Sequence, residues 1–335
     1  MHELHHGNCL DILRTMPDAS VDAVVTDPPY GLSFMGKRWD YDVPSVEIWE
    51  QCLRVLKPGG YLLAFAGTRT QHRMAVRIED AGFEIRDMIA WMYGSGFPKS
   101  HNLQDDRQGW GTALKPAMEP ITMARKPFKG TVADNVQMYG TGAINIDGCR
   151  NNVGEVIAGG GGGRKGATWE MHSGTGMFRS DRVHKQEPHD MGRWPANVLH
   201  DGCDDVLRGM GEAARFFYTA KACKSDRENG CFALPLVSYE MNRPPDSDLD
   251  LVPTVNRNFH PTVKPTDLMR YLCRMVTPPG GIVLDPFTGS GSTGRGAVLE
   301  GFRFIGCEMD ADYIEIAKAR ILAAEKAYQP CLTFD

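Results

Sequence analysis

The sequence predicts an α/β protein built on a doubly wound, mostly parallel sheet, and three observations support this fold class. Short apolar runs alternate with segments of helical spacing at both ends of the chain. Prolines and glycine-rich turns follow these runs, in the order typical of βαβ units. The length of 335 residues suits one α/β core that carries an insertion.

The first part of the chain, residues 1–129, is predicted to alternate strand and helix. The β-branched run at 21–26 stops at Asp27-Pro28-Pro29, because proline cannot donate a hydrogen bond to a strand ladder. Asp27 is therefore expected at the carboxyl end of a strand. Apolar spacing predicts helices at 46–56 and 71–81, and apolar runs predict strands at 61–66 and 83–93.

The middle of the chain, from about residue 94 to 259, is rich in glycine, proline, asparagine and charged residues. Helical or strand periodicity is weak in this part. The five consecutive glycines at 159–163 predict a mobile loop, because a glycine run loses much chain entropy when it becomes ordered.

Regular patterns return at 256–335 and predict the order helix, strand, helix, strand, helix. The helices are expected at 266–276, 293–299 and 313–327, and the strands at 282–284 and 302–307. This order is typical of a doubly wound parallel sheet.

Composition narrows the function classes. The net charge of −5 gives no overall signature of nucleic-acid binding, so any DNA-binding surface must come from local clusters of basic residues. The nine cysteines form no Cys-x-x-Cys pair, which argues against a zinc site or a disulfide framework. No apolar run reaches the roughly 20 residues that span a bilayer, so a soluble cytoplasmic protein without a membrane partner is expected.

A glycine-rich loop at 285–293 follows the predicted strand at 282–284 and precedes a helix. Gly289 and Gly291 would let the backbone turn tightly against a ligand at the helix N-terminus. Glu308, at the end of the next strand, is placed where a carboxylate could hold two ribose hydroxyls. A generic tight turn would also explain the glycines, but the added acid favours a ligand that contains a nucleoside. The loop has no Gly-Lys-Ser or Gly-Lys-Thr, so it is not a P-loop.

The segment Asp27-Pro28-Pro29-Tyr30 has the chemistry needed to activate an exocyclic amine. Such an amine is a poor nucleophile because its lone pair is delocalised into the ring. A carboxylate on Asp27 and the carbonyl of Pro28 could accept its two hydrogens and release the lone pair. The prolines fix the backbone, and Tyr30 offers a ring on which an extruded base could stack. A structural acidic turn is the alternative for the tetrapeptide taken alone.

Together with His260-Pro261-Thr262-Val263-Lys264-Pro265 and the loop at 285–291, the tetrapeptide resembles the β class of amino-group DNA methyltransferases. The resemblance implies a circularly permuted, Rossmann-like methyltransferase fold that uses S-adenosyl-L-methionine. It assigns catalysis to Asp27, Pro28, Pro29 and Tyr30. It assigns the cofactor pocket to Asn8, Cys9, Asp27, His260, Thr262, Lys264, Pro265, Asp285, Phe287, Gly289, Ser290, Gly291, Ser292 and Glu308. Position 8 departs from the family pattern, which usually has aspartate there.

The resemblance also implies the reaction: direct methyl transfer to an amine of a base flipped out of double-stranded DNA. Asp27 favours N6 of adenine, and N4 of cytosine stays open because both are amines conjugated to a ring. A cytosine-C5 enzyme would need a thiolate from a Pro-Cys pair. The chain has such a pair only at Pro330-Cys331, beyond any predicted strand. By analogy with many β-class members, a homodimer is expected.

Residues 130–255 are assigned to an inserted target-recognition region, between a catalytic half at 1–129 and a cofactor-binding half at 256–335. Three local clusters could contact phosphates: 96–129, 164–193, and Arg215, Lys221, Lys224 and Arg227 with Phe216, Phe217 and Tyr218. Each cluster could also be an ordinary solvated surface. RNA or a protein amide as methyl acceptor, and a cofactor-binding module without catalysis, are the other functions that the sequence leaves open.

Overall fold

The computed structural model describes residues 1–33, 40–96, 100–151, 192–220, 224–239 and 254–328. Its N-terminal elements occur in the order β1 (His2–His6), α1 (Cys9–Thr15), β2 (Val21–Thr26), α2 (Val46–Val55), β3 (Leu56–Phe65), α3 (Gln71–Asp80), β4 (Glu84–Met92), β5 (Met118–Arg125) and α4 (Val132–Tyr139).

The later elements are β6 (Val198–His200), α5 (Asp204–Met210), β7 (Tyr218–Thr219), α6 (Lys224–Glu228), β8 (Val237–Tyr239), β9 (Thr254–Asn256), α7 (Thr266–Val276), β10 (Ile282–Asp285), α8 (Ser292–Leu299), β11 (Arg303–Glu308) and α9 (Ala311–Ala327). Every helix and strand predicted from the sequence at the two ends of the chain is present, with ends shifted by a few residues. Strand β1 was not predicted.

One nine-stranded sheet organises the described residues, in the order β1-β11-β10-β2-β3-β5-β4-β6-β7. Strand β5 runs antiparallel to both of its neighbours, β3 and β4, and all the other neighbouring pairs are parallel. Strands β8 and β9 form a separate antiparallel pair. The predicted α/β class with a mostly parallel sheet is therefore confirmed.

The join between β2 and β10 brings the two ends of the chain together at the centre of the sheet. Ala23 and Val24 of β2 pair in parallel with Val283 and Leu284 of β10. Because the carboxyl ends of parallel strands meet at one edge of a sheet, the segment after β2 and the loop after β10 emerge side by side.

Helices cover both faces of this sheet. On one face, Leu63 and Phe65 of β3 pack in a buried cluster with residues of α7 and α8. On the other face, Leu62 of β3 packs with Trp49 of α2 and Met74 of α3. The alternation along β3 follows from the two-residue period of a strand, and its burial on both faces is typical of parallel sheets.

The weak periodicity between residues 94 and 259 hid the regular structure that the described part of this segment contains. Strand β5 lies inside the sheet, and its residues 120–124 are buried. Pro120 argues against a central strand, because proline has no amide hydrogen to donate. Here it lies near the start of β5, where its carbonyl accepts a hydrogen bond from the Ala66 amide (2.9 Å). The glycines at 159–163 lie outside the described residues.

Helix α4 begins with a capping box, in which Thr131 and Asp134 satisfy each other's backbone amides, and ends at Gly140 in the left-handed conformation. Buried Asn135 fixes this helix to the sheet. Its Nδ2 donates to the carbonyl of Pro58 (2.9 Å), just before the buried part of β3, and to that of Thr141 (2.7 Å).

The described cysteines are all free, and all but Cys203 are buried. Among the residues that the structure describes, no helix has both the length and the apolar character to cross a bilayer. No group of histidine, cysteine and acidic side chains in the same part of the chain is arranged to hold a metal ion.

We predict that Asn135→Ala lowers the free energy of unfolding by about 1–3 kcal/mol, because the carbonyls of Pro58 and Thr141 each lose one buried hydrogen bond. Urea denaturation followed by circular dichroism measures this change. Gln137→Ala, at an exposed position of the same helix, is the control and should leave the stability within about 0.5 kcal/mol. Equal effects of the two substitutions would show that Asn135 does not hold α4 to the sheet.

Candidate active site

A cavity of about 1460 Å³ opens at the carboxyl ends of β2, β10 and β11. It exceeds the roughly 300–1000 Å³ of a pocket for one small ligand. Both halves of the chain contribute to its wall. The predicted site residues that line it are Asn8, Cys9, Asp27, Pro28, Pro29, Tyr30, His260, Thr262, Lys264, Asp285, Phe287, Gly289, Ser290, Ser292 and Glu308. Pro265 and Gly291 are not among the lining residues.

The backbone of the tetrapeptide is held by a buried acid that the sequence reasoning missed. Asp40 Oδ1 accepts hydrogen bonds from the amides of Tyr30 (2.6 Å) and Gly31 (3.0 Å), and its Oδ2 accepts from Leu32 (3.2 Å). The hydroxyl of Thr70 donates to the Tyr30 carbonyl (2.6 Å). These contacts add to the stiffness of the two prolines and fix the direction in which the segment enters the cavity.

Asp27, Tyr30, Glu119 and Lys264 form a compact polar cluster in the cavity wall. The Lys264 ammonium lies 2.7 Å from Asp27 Oδ2, 3.2 Å from Glu119 Oε2 and 3.2 Å from the Tyr30 hydroxyl. The Tyr30 hydroxyl in turn lies 2.8 Å from Asp27 Oδ1 and 3.1 Å from Glu119 Oε2. Two carboxylates and one ammonium therefore share this corner, which keeps a net negative charge.

Burial and charge set the protonation of this cluster. Burial alone would lower the pKa of Lys264, but the charges of Asp27 and Glu119 outweigh it and raise that pKa above its usual value. The pKa of Tyr30 is also raised, first by burial and then by the same two carboxylates. Lys264 is therefore a permanent cation at neutral pH, and Tyr30 is a neutral hydroxyl.

The sequence grouped both Lys264 and Asp27 with the cofactor residues, and the structure brings the Lys264 ammonium against the Asp27 carboxylate. Glu119 was not predicted at all, because it lies in β5, whose strand character the sequence obscured. The short run at 121–124, which is apolar apart from a β-branched threonine, is the one local signal that could have revealed that strand.

The loop after β10 closes on the acid at the end of β11. The Gly289 amide donates to Glu308 Oε2 (2.7 Å), and the Asp310 amide donates to Glu308 Oε1 (2.8 Å). Burial raises the pKa of Glu308. An ionised carboxylate has about four acceptor positions on its two oxygens, which suits Glu308 to accept from hydroxyl groups of a ligand as well.

Gly289 and Gly291 of this loop each allow close contact with a different part of the protein. Gly289 has a φ of +52°, and a Cβ there would come within 2.8 Å of His260 Nε2, inside the cavity. Gly291 has a φ of +78°, and a Cβ there would press on Ala317 in α9. Glycine at 289 thus keeps the cavity open, while glycine at 291 allows α8 to pack closely on α9.

His260 presents a neutral imidazole to the cavity. Its Nδ1 lies 2.6 Å from the Thr262 carbonyl, so this nitrogen carries the ring hydrogen and Nε2 keeps its lone pair. Burial lowers the pKa of His260 to about 4. The ring packs edge-on against Tyr313, with 4.5 Å between centroids. A neutral acceptor of this kind can take a hydrogen bond from an amino group.

Asp285 faces inward at the end of β10. Its Oδ1 accepts from the Thr26 hydroxyl (2.6 Å) and from the Phe287 amide (3.0 Å). Burial raises the pKa of Asp285 to about 6, against the opposing effect of the Thr26 hydrogen bond.

Asn8 caps α1, because its side-chain oxygen accepts a hydrogen bond from the Leu10 amide (2.9 Å). Aspartate, the usual residue of the family pattern at this position, would make the same contact.

A buried arginine, also missed from the sequence, holds the serines of the loop. Arg320 of α9 donates through Nη1 to the hydroxyl oxygens of Ser290 (2.9 Å) and Ser292 (3.3 Å), and through Nη2 to the Asp226 carbonyl (2.6 Å). Burial lowers the pKa of Arg320 to about 10, so it remains charged at neutral pH. The loop is thereby tied to α6.

The basic clusters predicted to meet phosphates are partly engaged within the protein. Arg227 donates through Nη1 to the carbonyls of Asn258 (3.1 Å) and His260 (2.7 Å). Tyr218 stacks on Tyr271, with 3.9 Å between ring centroids. The guanidinium groups of Arg193 and Arg215 lie over the Phe216 ring, at 4.0 Å and 4.9 Å. Lys221, the side chain of Lys224 and nearly all of the cluster at 164–193 lie outside the described part.

A family model described as DNA methylase matches residues 21–319. Among curated proteins, the DNA adenine methyltransferase YhdJ of Escherichia coli strain K12 is 25% identical over 324 residues, which cover 94% of this chain and 81% of the relative. Type II methyltransferase M.HindIII of Haemophilus influenzae is 34% identical over 116 residues, which cover 30% of this chain and 38% of the relative.

Solved structures include the complex of M1.HpyAVI with S-adenosylmethionine. It has a TM-score of 0.48 and 17% identity, and the alignment covers 96% of this chain and 99% of that one.

We predict that His260 stays neutral in the folded protein down to about pH 5. Desolvation opposes the charged ring, so the imidazole should take up a proton only as the pH falls towards about 4. Histidine resonances followed by NMR across this range measure the midpoint. The same resonance in urea-unfolded protein is the control and should titrate near pH 6.5. A folded-state midpoint close to 6.5 would contradict the buried neutral ring.

Proposed function

The chain belongs to the DNA methylase family whose N6/N4 methyltransferase model matches residues 21–319, and from that premise we propose its reaction in detail. The enzyme transfers a methyl group from S-adenosyl-L-methionine to N6 of adenine in double-stranded DNA. The observation that carries this proposal is the single cavity shared by the carboxylate of Asp27 and the loop between Gly289 and Glu308.

The donor set of the cavity fits S-adenosyl-L-methionine. When bound, this cofactor supplies an electrophilic methyl group on a positively charged sulfur. We assign the ribose hydroxyls to Glu308 and the amino group of the methionine part to the loop near His260 Nε2. Glycine at 289 supports this placement, since a Cβ there would fill the space beside the imidazole. Asn8 and Cys9 lie at the part of the wall that we assign to the adenine.

Asp27 and Pro28 act on the methyl acceptor. In our proposal, the Asp27 carboxylate accepts one hydrogen of the target amine and the Pro28 carbonyl accepts the other. The nitrogen lone pair then turns towards the methyl group. As the new N–C bond formed, the bond between the methyl carbon and the sulfur would break and leave a neutral thioether. The amine would become positively charged and would give up one proton to the Asp27 carboxylate. Proximity and orientation supply much of the acceleration, and no covalent bond to the enzyme forms.

An amine inside a duplex cannot reach Asp27, so the target base must leave the stack. The size of the cavity supports this step, since it exceeds what one ligand needs. We propose that the extruded base rests against Tyr30, whose hydroxyl is held by Asp27 and Glu119.

Adenine is favoured over cytosine as the target base. A curated relative that aligns over 94% of this chain, YhdJ, is a DNA adenine methyltransferase. Asp27 agrees with this choice, and cytosine N4 is the less favoured alternative.

We further propose that residues 130–255 read the target sequence, with Arg193 and Arg215 among the cations near the DNA backbone. Local clusters of basic residues within this part support the assignment.

We also propose that the enzyme is a homodimer and acts in the cytoplasm, where the DNA substrate is accessible. Light scattering at micromolar concentration tests whether the protein is a dimer.

We predict that the wild-type enzyme forms N6-methyladenine in duplex DNA and that Asp27→Ala slows this reaction at least about a hundredfold. The carboxylate is proposed to touch the amine and not the cofactor, so cofactor affinity should stay within about twofold. Nucleoside mass spectrometry of the product and isothermal calorimetry with the cofactor measure the two quantities. Product as N4-methylcytosine, or methylation of RNA or protein alone, would contradict the assigned substrate.

Glu308→Ala should have the opposite effect and weaken cofactor binding at least about tenfold, because charge-assisted hydrogen bonds to two hydroxyls are lost. Calorimetry measures the dissociation constant. Glu315→Ala, an exposed acid on α9, is the matched control and should bind normally. An unchanged affinity in Glu308→Ala would place the ribose elsewhere.

A further inference from the structure

Glu119 reaches the cavity from β5, a strand that none of the sequence motifs includes. Its backbone pairs with Trp91 of β4, and its side chain is 20% exposed. The Oε2 oxygen lies 3.2 Å from the Lys264 ammonium and 3.1 Å from the Tyr30 hydroxyl. Glu119 therefore touches the two partners of Asp27.

The three hydrogens of the Lys264 ammonium match the three oxygens around it. They face Asp27 Oδ2 (2.7 Å), Glu119 Oε2 (3.2 Å) and the Tyr30 hydroxyl (3.2 Å). If the ammonium were paired with Asp27 alone, it would cancel the charge of the Asp27 carboxylate. It would also compete with the target amine for the carboxylate oxygens. The Glu119 carboxylate contacts the same ammonium. The two carboxylates and the ammonium together therefore keep a net charge of −1.

We propose that Glu119 is a positioning residue for methyl transfer. Its carboxylate balances part of the positive charge of Lys264, so that the Asp27 carboxylate remains a strong acceptor for the target amine. This inference rests on the proposed function. The amine gains positive charge as the methyl group arrives, and a net negative cluster within a low-dielectric cavity stabilises that charge. Without Glu119, the cluster around Asp27 would be neutral.

The test is a single-turnover assay of methyl transfer to duplex DNA with isotopically labelled S-adenosyl-L-methionine, at saturating cofactor and DNA. Glu119→Gln keeps the shape and removes the charge, and we expect the rate to fall roughly tenfold or more. Glu119→Asp keeps the charge and should retain more of the rate. Cofactor affinity, measured by calorimetry, should stay within about twofold of the wild-type value in both variants. Normal cofactor binding also shows that the variants are folded.

The double variant Glu119→Gln with Lys264→Met separates charge balance from structure. It restores a net charge of −1, carried by Asp27, so its rate should exceed that of Glu119→Gln alone. A structural contact would give the reverse, because a second substitution in the same cluster would slow the enzyme further.

Glu84→Gln is the matched control, since Glu84 also pairs with a cation of β5, Arg125 (2.7 Å), away from the cavity. Its rate should equal that of wild type. A wild-type enzyme that transfers no methyl group to duplex DNA would overturn the proposed function and this role together. Wild-type transfer with an unchanged rate in Glu119→Gln, or a double variant slower than Glu119→Gln, would overturn the role of Glu119 alone.

Discussion

The parallel pairing of β2 with β10 joins distant parts of the chain, and the proposed active site depends on this contact. The Thr26 hydroxyl donates to Asp285 across the join (2.6 Å). Both strands end at the same edge of the sheet, so the acid that follows β2 and the loop that follows β10 open into one cavity. A shift in the register of either strand would turn side chains to the opposite face and separate these groups. The buried ladder at the centre of the sheet opposes such a shift.

The polar cluster above this join combines rigidity with charge. Removing charges from water is costly, and the cluster offsets that cost because each charged group has partners within hydrogen-bond distance. Lys264 bridges Asp27 and Glu119, and Asp40 holds the backbone next to them. A site of this kind does not have to reorganise when an amine arrives, which is the main advantage of a preorganised polar environment over water.

Helix α6, within the proposed recognition region, contacts the part of the cavity wall that we assign to the cofactor. Arg227 of α6 holds the carbonyl of His260 (2.7 Å), and the Asp226 side chain accepts from the Thr266 amide (3.0 Å) at the start of α7. Arg320 links Asp226 to Ser290. The part of the chain assigned to DNA recognition is therefore packed against the groups assigned to the cofactor.

The sequence by itself determined those features whose signals lie within a few residues. Local periodicity and the backbone limits of proline and glycine predict four such features. They are the strand at 21–26, its end at Asp27-Pro28-Pro29, the glycine turn after β10 and the acid at the end of β11. The tertiary structure alone decided that β5 enters the sheet, which brings Glu119 to Lys264, and that Asp40 and Arg320 support the two loops. These contacts join residues far apart in the chain, and their partners are selected by packing and by the need to satisfy buried charges. The local sequence therefore does not predict which residues become partners.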